Sequence, residues 1–289
     1  MKIIKSYFKL SRVWISLFAA FSAATGFFNG PSHPLSGILL PAGAIFLLAS
    51  GASALNQYQE RKLDSAMIRT CQRPLPSGAL SPEHALLFSI GLILSGLILL
   101  AQTGKLQAFG LGLFALFWYN GIYIYLKKRT AFASVPGAVV GMVAPAIGWV
   151  FAEGALFSAR LAAICFIFFI WQIPHFWLLL LHHADEYKKA GLPSLTDIMR
   201  PAQISRVTFT WIFAASVASL LLPLYGAIKS PVVYFLFIPP AIWLIWNAGR
   251  LVKRQPVPSL SPELFKKINI YLLLVMSLLS LENIFPRLP

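Results

Sequence analysis

The sequence predicts an all-α, polytopic membrane protein, and three observations support this fold class. Of its 289 residues, 58% are hydrophobic and only 11% are charged, far more apolar surface than a soluble domain buries. Nine apolar stretches are long enough to cross the hydrocarbon layer as helices, which takes roughly 20 residues each. The Lys and Arg residues fall mainly in alternate loops between these stretches.

The nine predicted spans follow one another without a linker long enough to separate two domains. They cover residues 13–30, 37–55, 84–103, 107–126, 134–153, 160–182, 206–226, 231–249 and 268–285. The first stretch is too continuous with its neighbours for a cleaved signal peptide, so it counts as a span. Gly137 and Gly141 form a G-x-x-x-G pair, which is typical of close helix packing. Residues 1–289 are therefore predicted to form a single membrane domain.

The charge distribution predicts orientation. The formal net charge is +15, and of the 24 Lys and Arg residues only Lys105, Arg160, Lys229 and Arg287 lie on the side opposite the N-terminus. This bias predicts a cytoplasmic N-terminus and an external C-terminus. Because the cations are divided among short loops and form no continuous patch, nucleic acid is not an expected partner.

One group of acidic residues has the spacing of a ligand site. Asn56, Glu60 and Asp64 are spaced i, i+4, i+8, so a helix continuing from the second span carries them on one face. Two carboxylates and an amide oxygen are hard ligands suited to Mg²⁺, which binds through one or two carboxylates and a substrate phosphate. The alternative is a solvated helix end, on which Glu60 and Asp64 balance Arg61 and Lys62.

Further charged residues on the same side complete a possible diphosphate clamp. Arg69 and Arg73 follow the acidic face, and a second acidic pair lies at Asp185 and Glu186. The fourth span ends in Lys127, Lys128 and Arg129. Guanidinium and ammonium groups bind phosphate oxygens. Taken singly, these cations are also what the positive-inside rule places at the cytoplasmic surface.

The sixth span carries an intramembrane histidine within an aromatic segment. His175 is preceded by Trp171 and Pro174, and His182 lies seven residues further along the same helix face. An ionisable side chain inside a membrane is a functional candidate. A histidine hydrogen-bonded to a neighbouring helix is an equally simple explanation, and the aromatic residues are typical of membrane packing.

Three segments together resemble the UbiA-type intramembrane prenyltransferases, and among them the branch that farnesylates haem B. They are NQYQERKLDSAMIRTCQRPLPSGALSPEHAL from Asn56, YLKKRTAFASVPGAVVGMVAPAIGW from Tyr125, and WQIPHFW from Trp171 with DEYKKAGLP from Asp185. The resemblance extends through essentially the whole chain. Its most specific parts are M-x-R-T-x-x-R-P-L-P-S-G at 67–78 and P-H-F-W at 174–177.

The resemblance implies nine transmembrane helices around a central, lipid-accessible cavity. It implies Mg²⁺-bound farnesyl diphosphate as donor and haem B as acceptor, giving haem O and diphosphate. The residues that match the family's metal and catalytic motifs are Asn56, Glu60, Asp64, Asp185 and Glu186; those that match its diphosphate-binding positions are Arg69, Arg73, Lys127, Lys128 and Arg129; and the acceptor candidates are His175 and Trp171. Membrane lipid is the surrounding partner, and a bacterial inner membrane is the implied location.

The sequence departs from the family pattern at three places, and these leave alternatives open. Glu60 stands where the family usually has Asp, residues 194–198 replace the usual M-L-P-V-V, and Lys9 to Arg12 replace K-P-R. One alternative is a related enzyme that prenylates another aromatic or quinone-precursor acceptor. A non-catalytic haem-handling protein and a transporter are the alternatives from other classes. The placement of the carboxylates at helix ends argues against a transporter.

Overall fold

The computed structural model describes residues 2–102, 105–253 and 261–284, and within these ranges the chain is helical with no strand. Nine long helices define it: α1 Val13–Asn29, α2 Leu39–Ser65, α3 Pro82–Ala101, α4 Leu106–Lys127, α5 Ser134–Phe151, α6 Ala159–His182, α7 Pro201–Leu220, α8 Pro231–Ala248 and α9 Ser261–Ile284. Arg254 and Arg287, and the predicted span ends at 103 and 285, lie outside the described residues.

The long helices confirm the prediction of an all-α, polytopic integral membrane protein. In the described ranges, seven helices are long and apolar enough to cross a membrane, and the bent pair Ile3–Leu10 and Val13–Asn29 makes an eighth. The remaining long helix, α7, is not among them. It spans 20 residues, but Gln203 and Arg206 in its first turns lower its hydropathy. The nine predicted spans thus correspond to nine long helices of the described ranges, and α7 is the one that falls short of the hydropathy of a candidate span.

Helix α5 contributes to the two largest clusters of buried apolar side chains. Ala146 and Trp149 belong to a cluster shared with α6, α7, α8 and α9. Val143, Ile147 and Val150 belong to a second cluster shared with α1, α2, α3 and α4. Neighbouring helices therefore pack on α5 from two sides.

Glycines allow α1 and α5 to approach each other closely. A Cβ at Gly148 would overlap the carbonyl oxygen of Ala23, and one at Gly26 would overlap the carbonyl oxygen of Pro145. Small residues at such crossings allow the two backbones to make van der Waals contact. This packing matters in a membrane, because the lipid is as apolar as the helices and provides no hydrophobic driving force for their association. The G-x-x-x-G pair also lies at packing contacts, because a Cβ at Gly137 would lie 2.7 Å from the Tyr123 ring.

Short connections at one end of the bundle position the polar side chains described below. The segment 66–81 after α2 is a series of turns, and Thr70 Oγ1 donates to the Asp64 carbonyl oxygen at 2.8 Å. The connection between α6 and α7 contains the short helices Ala184–Lys189 and Leu195–Ile198. The short helix Lys2–Leu10 precedes α1, and Gln57 Nε2 donates to the Leu10 carbonyl oxygen at 2.8 Å.

Candidate functional site

A cavity of about 130 Å³ lies at the end of the bundle where α2 and α4 finish. Side chains from α2, α4, α5 and α6 line it, together with the segment 66–73 and residues from the connections on either side. Charged and polar side chains line it together with aromatic and aliphatic ones. Such a cavity suits a ligand with one charged end and one apolar end.

The face of α2 that carries Asn56, Glu60 and Asp64 forms one wall of the cavity. All three side chains line it, and their exposed fractions are only 3%, 3% and 1%. Helix α2 continues to Ser65, ten residues beyond the predicted span, so the i, i+4, i+8 spacing places them on one face. Burial argues against the alternative of a solvated helix end, because ionised carboxylates are rarely buried without a partner.

Each buried carboxylate is paired with a cation from a different part of the chain. Lys127 Nζ, at the end of α4, donates to the two Glu60 oxygens at 3.0 and 3.1 Å. Arg73 Nη1, from the segment after α2, donates to Asp64 Oδ1 and Oδ2 at 2.8 and 2.7 Å. Burial lowers the pKa of the Arg73 guanidinium, and Arg12 lowers it further, while Asp64 opposes both effects. The two ion pairs hold these charges side by side in one cavity.

Two further cations, Arg12 and Arg69, line the same cavity. Arg12 lies between the short helix Lys2–Leu10 and α1, where its backbone adopts φ 46° and ψ 52°. This left-handed conformation is costly for a residue with a Cβ, and strain of this kind clusters at functional sites. Arg12 was predicted only as a positive-inside residue. The sequence signal that could have identified Arg12 as a site residue is its position after Lys9, Leu10 and Ser11, where the family has K-P-R.

An aromatic wall lies on the α4 and α6 sides of the cavity, and the sequence reasoning did not identify it. The rings of Tyr119 and Tyr123 stack at 5.7 Å between centroids, and Tyr123 stacks on Phe176 at 6.0 Å. Residues Phe117–Tyr123 form a π-helical segment within α4, a feature frequent at functional sites. Asn120 holds this segment to α2 by donating to the Ala52 carbonyl oxygen at 3.1 Å.

The structure separates Lys127 from the next two cations of the predicted basic segment. Lys127 lines the cavity, and its Nζ lies 5.9 Å from the centroid of the Tyr187 ring. Lys128 and Arg129 are exposed and do not line it, and the Arg129 guanidinium stacks on Tyr125 at 4.4 Å. A role for Lys128 and Arg129 in diphosphate binding therefore stays a prediction without support from this geometry.

The second acidic pair lies beside the cavity, and neither member lines it. Asp185 is exposed. Glu186 Oε2 accepts a hydrogen bond from the Arg69 backbone N–H at 2.9 Å, and Glu186 Oε1 lies 3.4 Å from His183 Nδ1. The Arg69 N–H lowers the pKa of Glu186 most, and His183 adds to the effect. Glu186 thus joins the segment after α2 to the connection between α6 and α7.

We expect Glu186→Ala to loosen the segment after α2. Loss of the hydrogen bond to Arg69 should accelerate amide exchange in residues 66–73 by roughly threefold to tenfold, as a bond worth about 1 kcal/mol implies. Since the pKa of Glu186 is lowered, protection should be complete above the ordinary carboxyl value of 4.5 and be lost as the pH falls through the lowered value. Hydrogen-exchange mass spectrometry measures this. The control is Asp185→Ala at the exposed neighbour, and equal exchange in both variants would contradict the role of Glu186.

The acceptor candidates Trp171 and His175 lie between α6 and α9, and neither lines the described cavity. Trp171 Nε1 donates to the Ile268 carbonyl oxygen at 2.8 Å. Asn269 Nδ2 donates to the Phe265 carbonyl oxygen at 2.6 Å, so the amide oxygen faces His175 Nδ1 at 2.9 Å. In a neutral imidazole, Nδ1 then carries the proton and Nε2 keeps its lone pair.

The residues around the cavity fit a magnesium ion that is bound together with a phosphate ligand. In the part of the chain that the structure describes, no three His, Cys, Asp or Glu side chains cluster closely enough to hold a metal. Glu60, Asp64 and Asn56 nevertheless offer two carboxylates and an amide oxygen on one wall. Mg²⁺ is commonly bound by one or two carboxylates, waters and substrate phosphates, so this donor set is sufficient when a phosphate is present.

The fold and the cavity together define an integral membrane protein whose buried site combines carboxylates, cations and aromatic rings. Residues 13–269 match the UbiA prenyltransferase family, and the chain belongs to that family. A protoheme IX farnesyltransferase of Geobacter sulfurreducens is 40% identical over 217 residues, which cover 75% of this chain and 80% of that protein.

Two solved structures share the fold. One, from a study of digeranylgeranylglyceryl phosphate synthase, matches with a TM-score of 0.78 at 18% identity, over 98% of this chain and 99% of that one. The other is a UbiA homologue from Archaeoglobus fulgidus bound to GPP and Mg²⁺, with a TM-score of 0.66 at 16% identity, over 95% of this chain and 99% of that one. The predicted UbiA-type prenyltransferase fold is therefore confirmed.

Proposed function

We propose that this enzyme transfers the farnesyl group of farnesyl diphosphate to a vinyl group of haem B, giving haem O and diphosphate. The observation that carries the proposal is the cavity in which Glu60 and Asp64 lie beside four cationic side chains and an aromatic wall. Relatives named protoheme IX farnesyltransferase, such as that of Geobacter sulfurreducens, support the choice of donor and acceptor.

The charged end of the cavity binds the diphosphate in this proposal. Arg12, Arg69, Arg73 and Lys127 bind its oxygens, and Asn56, Glu60 and Asp64 hold the Mg²⁺ ion, with Glu186 and Asp185 as its remaining candidate ligands. The bound ion supplies Lewis-acid neutralisation of the leaving diphosphate. Preorganised cations stabilise the charge that develops on the diphosphate oxygens as the bond between C1 of farnesyl and oxygen breaks. No nucleophilic side chain is required.

The aromatic wall protects the reacting farnesyl group from water. Tyr119, Tyr123 and Phe176 line the cavity as a row of rings that stack on one another. An allylic cation is captured quickly by water, so a water-poor, electron-rich wall favours capture by the acceptor. A porphyrin vinyl carbon then bonds to C1 of farnesyl, water adds to the adjacent carbon as hydroxyl, and its proton is released. His175, with its Nε2 lone pair directed away from Asn269, and Trp171 are the proposed acceptor contacts.

The proposed location is the inner membrane of a bacterium, with the N-terminus and the cavity mouth on the cytoplasmic side. The basic connections around the cavity support this orientation through the positive-inside rule. A water-soluble diphosphate then reaches the cations from the cytoplasm, while the apolar parts of donor and acceptor arrive from the bilayer.

The direct test is incubation of the purified protein with farnesyl diphosphate, Mg²⁺ and haem B in detergent, followed by mass spectrometry of the haem fraction. The expected product is haem B with one farnesyl group and one hydroxyl group added across a vinyl double bond, together with released diphosphate. An unchanged haem peak, under conditions in which a control farnesyltransferase is active, would overturn haem as the acceptor. Product formation on a quinone precursor instead would identify the alternative acceptor class.

A further inference from the structure

Both carboxylates that are proposed to hold the metal ion are engaged by cations of the same protein. Lys127 bonds both Glu60 oxygens, and Arg73 Nη1 bonds both Asp64 oxygens. Because the two carboxylates are almost fully buried, a cation can leave them only if another positive charge takes its place. Lys127 and Arg73 therefore compete with a divalent cation for the same oxygens.

The charge balance of the cavity wall favours an anion over a free cation. Its described lining carries four cationic side chains and two carboxylates, a formal charge of +2. A divalent cation that entered alone would raise this charge further. A prenyl diphosphate carries about two to three negative charges near pH 7, because its terminal phosphate has a second pKa of about 6. Its entry brings the cavity close to neutrality.

We propose that the diphosphate binds this cavity first and that the divalent cation binds second, taking the place of Lys127 and Arg73 on Glu60 and Asp64 as these two side chains turn to the diphosphate oxygens. This inference rests on the proposed function, since it takes a prenyl diphosphate as the ligand. Lys127 and Arg73 thus neutralise the two carboxylates before the metal ion binds, and they bind the diphosphate oxygens afterwards.

In this proposal the exchange takes place in the side chains of Lys127 and Arg73. Lys127 is at the last position of α4, and its flexible side chain also contacts the Tyr187 ring. The Arg73 backbone N–H is held by the Thr70 carbonyl oxygen at 2.9 Å, so only its side chain has to swing. The two affinities are linked. If bound diphosphate raises the affinity of the protein for the metal ion by some factor, bound metal ion raises the affinity for diphosphate by the same factor.

The experiment measures each ligand alone and both together in detergent. The probes are Mn²⁺, followed by its electron paramagnetic resonance signal, and farnesyl thiodiphosphate, which does not ionise readily, followed by calorimetry. We expect the thiodiphosphate to bind in EDTA. We expect Mn²⁺ alone to bind weakly, and its affinity to rise at least tenfold when the thiodiphosphate is present.

Lys127→Gln provides the sharper test, because it should move the two affinities in opposite directions. Without the ammonium group, Mn²⁺ alone should bind about tenfold more tightly and the thiodiphosphate alone about tenfold more weakly. The control is Lys188→Gln, the same change at an exposed lysine of the helix Ala184–Lys189 that does not line the cavity, and it should leave both affinities unchanged. Thermal unfolding of each variant checks that the fold is intact.

Three results would overturn the binding order. Wild-type protein could bind Mn²⁺ alone as tightly as with the thiodiphosphate, or Lys127→Gln could weaken both ligands together. In either case haem farnesylation, measured separately by product mass, would still support the proposed function. Failure of the thiodiphosphate to bind with or without Mn²⁺ would overturn both the binding order and the prenyl diphosphate as donor.

Discussion

Asp64→Asn is expected to lower haem O formation about a thousandfold while the protein remains folded. Asp64 is the most deeply buried carboxylate of the cavity wall, with an exposed fraction of 1%, and Arg73 bonds both of its oxygens. Asparagine keeps the shape and one oxygen acceptor for Arg73 but removes the charge that a magnesium ion requires. Losing one preorganised electrostatic contact to a developing charge typically reduces turnover by about a hundredfold to a thousandfold. Loss of a metal ligand lies at the upper end of that range.

The measurement is the rate of product formation by mass spectrometry, with thermal unfolding in the same detergent. A suitable control is Asp197→Asn, which makes the same chemical change at a carboxylate that caps Leu195–Ile198 and does not line the cavity. We expect the control to retain most of the activity. Turnover near the wild-type rate in a folded Asp64→Asn protein would remove Asp64 from the metal site.

The acidic face of α2 could be predicted because it depends on local geometry alone. A helix that continues past the membrane boundary places Asn56, Glu60 and Asp64 on one face, whatever the rest of the fold does. The sequence also indicated which end of the bundle carries the charge. It did not reveal that each carboxylate has its own cation, because Lys127 is 67 residues from Glu60 and only tertiary packing brings them together.

The sequence could not show which of the adjacent cations Lys127, Lys128 and Arg129 enters the cavity. Neighbouring residues of a helix point about 100° apart, so a shift of one position changes which side chain faces inward. The π-helical segment Phe117–Tyr123 produces such a shift in α4, and no composition signal marks it. Tyr119 and Tyr123 did carry a signal in the sequence, because with Lys127 they are spaced i, i+4, i+8, as the acidic face of α2 is.

The second acidic pair illustrates the same limit. Asp185 and Glu186 are consecutive in the helix Ala184–Lys189, so they point in different directions. Glu186 turns towards the Arg69 backbone, and Asp185 faces outward. Residues four apart in a helix, as on α2, lie on one face, so their spacing supports a shared role. Adjacent residues point in different directions, so their spacing supports a shared role far less well. Whether either residue binds the metal ion stays a prediction.

Gly148→Ala is expected to destabilise the protein by about 3 kcal/mol, although helix propensity alone predicts the opposite sign. Replacing Gly by Ala within a helix stabilises it by about 1 kcal/mol when nothing interferes. At Gly148, the added Cβ would overlap the Ala23 carbonyl oxygen, which is backbone and cannot rotate away. Helices α1 and α5 must then separate, and overpacking of this kind costs about 1–3 kcal/mol, with backbone clashes at the upper end.

Gly43→Ala is the matched control for this prediction, because no atom lies within 4 Å of a Cβ at Gly43 in α2. We expect it to be neutral or slightly stabilising in thermal unfolding, while Gly148→Ala lowers the unfolding temperature by several degrees. Displacement of α1 should also move Arg12, which precedes it, so Gly148→Ala should weaken diphosphate binding even at temperatures at which the protein is folded. Equal stability of the two variants would mean that the contact between α1 and α5 does not depend on the missing side chain.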